Sequence, residues 1–207
     1  MTFEEIKLYN PGILLFDIPK SIFDSFQKSV VEKKFDDTTD VKYNNKLAGQ
    51  IEHEYKLEPP GNLKLFLIEA AKKYQIFFKN AKLNTETNDK IVLQSFWVNY
   101  QKKFEYNPIH SHSGILSFII FVKIPFLLEN EDKFSNTVKA KQHANGRLTF
   151  TYQTLFNNTF NHNIDIDKDY EGKMIIFPNT AFHSVNPFYT SDDYRITVSG
   201  NFNIVRD

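Results

Sequence analysis

The 207-residue chain has no cysteine, so disulfides and thiolate metal ligands are excluded, and any bound metal must use imidazole, carboxylate or backbone oxygen. Net charge is absent as well. The 25 basic and 25 acidic residues cancel, which leaves no overall field to draw the protein to nucleic acid or to an anionic membrane surface. No stretch reaches the roughly 18 apolar residues that a membrane helix needs, and the opening Met1-Thr2-Phe3-Glu4-Glu5-Ile6-Lys7 has no basic region leading into an apolar core. A soluble, cytoplasmic protein is expected. Arginine is scarce, with only three among the basic residues. Where lysine is the default cation, an arginine is favoured for what lysine cannot do, such as gripping a carboxylate through two parallel hydrogen bonds.

What is present divides the chain in two. Its length suits one sizeable domain that buries on the order of 70% of its unfolded surface. In the first part, 13–18 reads as a short buried strand closed by Pro19. Residues 21–34 carry apolar positions at helical spacing, with Ser21 as N-cap and Asp24 at the capping-box position. Residues 35–45 read as loop and 46–57 as extended. Pro59-Pro60-Gly61 breaks the chain before a second amphipathic helix over 62–80. Beyond residue 90, aromatic and β-branched runs at 91–101, 116–125, 147–154, 173–177, 182–185 and 194–205 predict strands with no helices between them. That pattern favours a sandwich or barrel. The polar stretches 128–146 and 157–171 read as surface insertions.

The chemistry concentrates in Asn107-Pro108-Ile109-His110-Ser111-His112-Ser113-Gly114, followed by His183 and Arg195. Histidines spaced i, i+2 on an extended segment share one face, so both rings can reach one ion. His183 joins them if its strand is a neighbour. Neutral imidazole serves iron, zinc, copper and nickel alike, and three ligands on one face leave positions open for substrate or oxygen. Asn99 shares a strand face with Trp97 and Gln101 and is a candidate to line the same pocket. Taken singly, these residues have plainer readings: a packing pair of histidines, Arg195 paired on the surface with Asp192 or Asp193, and Trp97 in the core. His53, His143 and His162 sit in polar surroundings and read as exposed.

Together the pieces resemble a known superfamily. His-x-His, a distal histidine in the context Phe177-Pro178 to His183, and Arg195-Ile196-Thr197 twelve residues after it resemble the iron(II)- and 2-oxoglutarate-dependent dioxygenases. The run from Asn99 to Gly114, with Phe118-Ile119-Ile120 and Ile124-Pro125, is similar to oxygenases of this superfamily from tailed phages and bacteria. Val185-Asn186-Pro187-Phe188, the run from Arg195 to Asn201, and Leu47-Ala48-Gly49-Gln50-Ile51 extend the similarity.

The resemblance implies a mainly β fold with N-terminal helices, a double-stranded β-helix or jelly roll of the cupin-like kind. One domain would span 1–207, with 1–89 as helical support and 90–207 as the core. It implies Fe(II) held by His110 and His183, and 2-oxoglutarate held through its remote carboxylate by Arg195 with help from the Thr197 hydroxyl; His112 is read as the third ligand of a three-histidine centre, and Asn99, from its strand face, as a neighbour of the cosubstrate. The implied activity is an oxidoreductase that hydroxylates a primary substrate with O2, forming succinate and carbon dioxide, in the cytoplasm or, if phage-encoded, in the host's. The superfamily's usual carboxylate, two residues after the first histidine, is His112 here. That exchange raises the formal charge of the ligand set by one and favours softer, nitrogen-preferring metals over iron. Glu105 is an alternative carboxylate, although five residues and Pro108 separate it from His110. Two other classes fit the same residues: a metal-binding jelly-roll protein without turnover, virion-associated or acting as a binding module, and a three-histidine cupin-type oxygenase that does not use 2-oxoglutarate.

Overall fold

Two antiparallel sheets carry the fold of the computed structural model, which describes residues 2, 4, 11–33, 35, 41–79, 90–134, 136–154 and 156–205. In chain order the elements are β1 (Leu14–Asp17), α1 (Lys20–Val31), β2 (His53–Lys56), α2 (Gly61–Phe77), β3 (Lys90–Gln101), β4 (Asn107–His110), β5 (Leu116–Lys123), α3 (Leu128–Asp132), β6 (Leu148–Gln153), β7 (Thr159–Ile164), β8 (Lys173–Pro178), β9 (Phe182–Val185) and β10 (Arg195–Val205). The larger sheet has the order β1-β8-β5-β10-β3-β2 and the smaller β4-β9-β6-β7. Together they form the expected jelly roll.

Side-chain alternation explains how the larger sheet is buried on both faces. Phe96, Val98 and Tyr100 on β3, Phe118, Ile120 and Val122 on β5, and Ile196 and Val198 on β10 point to the helical side and share one apolar core with α1 and α2. Each large side chain so buried contributes about 1.5–3 kcal/mol. The intervening residues face the smaller sheet, and here the strands diverge. β5 offers Ile119 and Phe121 to a second core, whereas β3 and β10 offer Asn99, Gln101, Arg195, Thr197 and Ser199 to a cavity. One wall between the sheets is therefore apolar and the other polar.

The helices form as the spacing predicts, with different boundaries. In α2 the buried Leu63, Leu67, Ala70, Ala71 and Tyr74 repeat at helical intervals, and the Tyr74 hydroxyl donates to Gly12 O at 2.5 Å. α1 begins earlier than expected. Pro19 holds the cap position without a side-chain cap, its carbonyl accepts from the amides of Ile22 and Phe23, and Asp24 pairs with Lys20 rather than closing a capping box. The last residue expected in each helix, Lys34 and Asn80, and most of the acidic part of the 35–45 loop lie outside the described residues.

Three elements depart from the expected pattern. Only His53–Lys56 of the 46–57 segment is a strand, with isolated bridges from Gln50 to Tyr106 and from Lys42 to Tyr55. The 157–171 stretch contributes β7, paired along its length with β6 but largely solvent-exposed. The 128–146 stretch is anchored rather than free. Glu131, on α3, is fully buried and accepts hydrogen bonds from the amides of Tyr189 and Thr190 and from the Thr190 hydroxyl. Among the described residues, no helix is long and apolar enough to cross a membrane.

Candidate metal centre

Strand register brings the histidines together. β4 pairs antiparallel with β9 so that His110 lies directly opposite His183, and His183 in turn faces Phe150 on β6. His112 lies past the end of β4, where its amide donates to Asn179 O at 2.9 Å and its carbonyl accepts from Asn179 Nδ2 at 3.1 Å. The chain then turns at Gly114, whose φ of +97° favours glycine and whose missing Cβ leaves room for the carbonyl of Phe202. One ligand atom from each of His110, His112 and His183 lies within 4.8 Å of the other two.

The ring nitrogens are sorted before any metal arrives. Nδ1 of His110 donates to Pro108 O at 2.7 Å and Nδ1 of His183 to Ala181 O at 2.9 Å, which leaves both Nε2 lone pairs free. Nε2 of His183 faces Nε2 of His112 at 3.3 Å. Burial drives all three imidazoles toward the neutral form. His110 falls below its ordinary pKa, desolvation outweighing its backbone hydrogen bond. His112 falls to about 4, through desolvation and the nearby His110, and His183 to about 3, through desolvation and then His110. Three converging neutral imidazoles, two of them with tautomers set by backbone carbonyls, fit a divalent first-row metal. Glu105 is not part of this group, because its two carboxylate oxygens accept from the amides of Glu52 and Lys102 at 2.9 and 2.7 Å.

The three histidines line a cavity of about 200 Å3 that also contains Asn99, Arg195 and Thr197. Asn99 bridges its wall, accepting from Trp97 Nε1 at 3.1 Å and donating to Thr197 Oγ1 at 3.3 Å. Trp97 is thus buried cavity wall as well as packing. Arg195 is 2% exposed, and its guanidinium lies 5.7 and 5.5 Å from the ring centres of Phe126 and Phe188. Its surface-pair alternative is overturned, since Asp192 pairs with Lys103 and Asp193 with Lys123. Gln101 Oε1 accepts from Nε at 3.0 Å and from Nη2 at 2.6 Å, while the carbonyls of Gly146 and Asn186 take Nη1 and Nη2 at 2.6 and 2.8 Å. The fork expected to be open is therefore closed by a neutral amide, with one Nη1 hydrogen left over. Burial pulls this guanidinium down and Glu131 pulls it up; it stays a cation at neutral pH.

Sequence reasoning missed several neighbours. Lys46, Leu47, Ala48, Ile51 and Glu54 line the cavity, whereas the 128–146 stretch contributes no lining residue and 157–171 only Ile166. The similarity of Leu47 to Ile51 was a usable signal for that wall. Glu54 was legible only through register, which sets it opposite Asn99. His53, expected to be exposed, stacks on Phe35 at 4.2 Å, its Nδ1 lying 3.1 Å from the Tyr55 hydroxyl.

Residues 95–201 match the family described as "Putative 2OG-Fe(II) oxygenase". Among solved structures, the chain is similar to a Pseudomonas putida prolyl-4-hydroxylase at 11% identity and a TM-score of 0.57, with 94% of each chain covered. That likeness shows a shared fold. A 2OG-Fe(II) oxygenase family oxidoreductase from Burkholderia pseudomallei is similar at 11% identity and a TM-score of 0.49, over 93% of this chain and 84% of that one. No curated protein matches the chain in sequence.

Proposed function

The chain belongs to the 2OG-Fe(II) oxygenase family, and from that premise we propose that it hydroxylates a primary substrate, using His110, His112 and His183 as the iron ligands and Arg195, Thr197 and Asn99 as the 2-oxoglutarate site. It is an oxidoreductase with Fe(II) and 2-oxoglutarate as cofactor and cosubstrate. The observation that carries the residue assignment is the convergence of three neutral imidazoles, with ligand atoms within 4.8 Å, in a cavity that also contains a buried arginine.

When bound, the iron supplies the oxygen-activating redox chemistry of the family. The protein's own residues do the rest. Pro108 O and Ala181 O hold His110 and His183 with Nε2 toward the metal position. Arg195 supplies the positive charge for the remote carboxylate, through its remaining Nη1 hydrogen or through the fork if Gln101 swings away, and the Thr197 hydroxyl stands on the same strand face. Ile119, Phe121, Leu148 and Ile166 give the cavity an apolar side that keeps water from the reacting centre.

Conversion of 2-oxoglutarate to succinate by the iron-loaded protein tests this reading. Turnover is expected in the wild type and lost in both His183→Ala and Arg195→Ala. Full turnover in Arg195→Ala would remove that residue from the cosubstrate site.

A further inference from the structure

Glu54 is an acid for which neither the metal nor the keto acid has a use. It is 1% exposed, sits on β2 opposite Asn99 and lines the cavity that contains the histidines. Among the described residues, one carboxylate oxygen, Oε2, has only a long contact from Asn44 Nδ2 at 3.4 Å, and the other, Oε1, has no partner. A second buried acceptor without a partner among the described residues, Asn107 Oδ1, belongs to a residue lining the same cavity and lies beside Glu54 Oε1, both oxygens being packed against Gly49. Two buried acceptors on the lining of one cavity are costly unless a donor reaches them, at about 1–3 kcal/mol for each unsatisfied group. Among the described residues no cation pairs with Glu54; Lys46 lines the cavity, but its side chain is exposed.

We propose that Glu54 and Asn107 form the substrate-recognition subsite of this oxygenase and receive an ammonium group of the primary substrate. The inference rests on the proposed function for its setting, because the same cavity would present the substrate's carbon chain to the metal. An ammonium offers N–H donors to both orphan oxygens and a positive charge to the carboxylate, while a neutral hydroxyl offers one donor and no charge. An anionic group is disfavoured by Glu54 and, behind it, by Glu105. Burial and then the Glu105 charge raise the Glu54 pKa to about 7, as expected for an acid held without its cation. Asn99 across the register and Asn44 from the preceding turn are the other polar groups around it, and neither carries a charge.

The zinc-loaded protein, titrated at pH 8 with n-butylammonium and separately with n-butanol, with and without 2-oxoglutarate, tests the proposal. The sole tryptophan, Trp97, lies in the cavity wall and reports occupancy by fluorescence, with calorimetry as a second readout. Saturable binding of the amine is expected, with butanol weaker by about tenfold or more and a similar loss in Glu54→Gln. Gly49→Ala, whose Cβ would press on both oxygens and displace them without removing either acceptor, is expected to weaken the amine as well and serves if Glu54→Gln folds poorly. No amine binding, equal binding of amine and alcohol, or amine binding unchanged by both substitutions would overturn the subsite. A 2-oxoglutarate titration of the same samples reads the proposed function separately, so the failure of one reading is visible without the other.

Discussion

The two ends of the cavity are prepared to different degrees. At the histidine end, backbone carbonyls fix the tautomers of His110 and His183, and their free Nε2 lone pairs converge with His112. At the arginine end, the Arg195 charge is surrounded by neutral acceptors, with Gln101 seated in the fork where a carboxylate would go. The first end needs only the short contact between His112 and His183 to give way to a cation. The second has a satisfied resting state and must exchange a partner. Metal binding should therefore cost only the exchange of that contact, and cosubstrate binding should carry the larger cost of displacing Gln101.

Removing a histidine breaks the prepared end outright. His183→Ala is expected to abolish stoichiometric metal binding, a larger loss than the 10–100-fold typical of an outer-shell partner, as metal analysis after dialysis would show. Retained stoichiometric metal would take His183 out of the ligand set. Arg195→Lys attacks the other end while leaving the metal in place. It keeps the charge but loses the planar fork, so 2-oxoglutarate affinity is expected to fall by roughly 10–100-fold with iron content unchanged. Unchanged affinity would take the Arg195 fork out of the cosubstrate site.

Gln101→Leu sharpens the contrast from the opposite side. Removing the competing amide frees the Nε and Nη2 donors, so 2-oxoglutarate should bind a few-fold more tightly while the melting temperature falls because buried donors have lost an acceptor. Weaker binding in this variant would mean that Gln101 assists the carboxylate rather than competing with it.

The gentlest probe is pH on the metal-free protein. His112 and His183 titrate near 4 and 3 in the fold against 6.5 when unfolded, so below pH 6.5 the unfolded chain binds more protons and the fold loses stability as the pH falls. The slope is up to about 1.4 kcal/mol per pH unit for each histidine. Glu54 acts in the opposite sense. Its folded pKa is raised to about 7, so between roughly 4.5 and 7 the folded state holds the extra proton and gains stability as the pH falls. Melting temperature should therefore drop from pH 6.5 to 5 in the wild type, and drop more steeply in Glu54→Gln. A shallower drop in the variant would reverse the sign assigned to Glu54.

Much of this arrangement is written locally in the sequence. The long strands β3, β5 and β10 announce themselves through aromatic and β-branched runs, and α2 through its apolar spacing, because each buries a full face. β7 does not, since it is an exposed strand with the sequence Thr-Phe-Asn-His-Asn-Ile and no alternation to detect. β4 is hidden by Pro108 and by its brevity. The histidines and Arg195 stand out by residue type and order, helped by the resemblance they complete. Gln101 and Glu54 do not, because their roles come from register: Gln101 is opposite Arg195 across β3 and β10, and Glu54 is opposite Asn99 across β2 and β3. Pairing of distant strands is the information a single sequence expresses least.

The most direct test of the account is an anaerobic titration of the metal-free protein with iron(II) and then 2-oxoglutarate, following the weak visible charge-transfer band of the chelate in the wild type and in His112→Ala. A band in the wild type that is weakened or lost in the variant is the predicted result, and it would establish a three-histidine iron site that takes the keto acid. Bound iron without a band, or a band of full strength in His112→Ala, would contradict it.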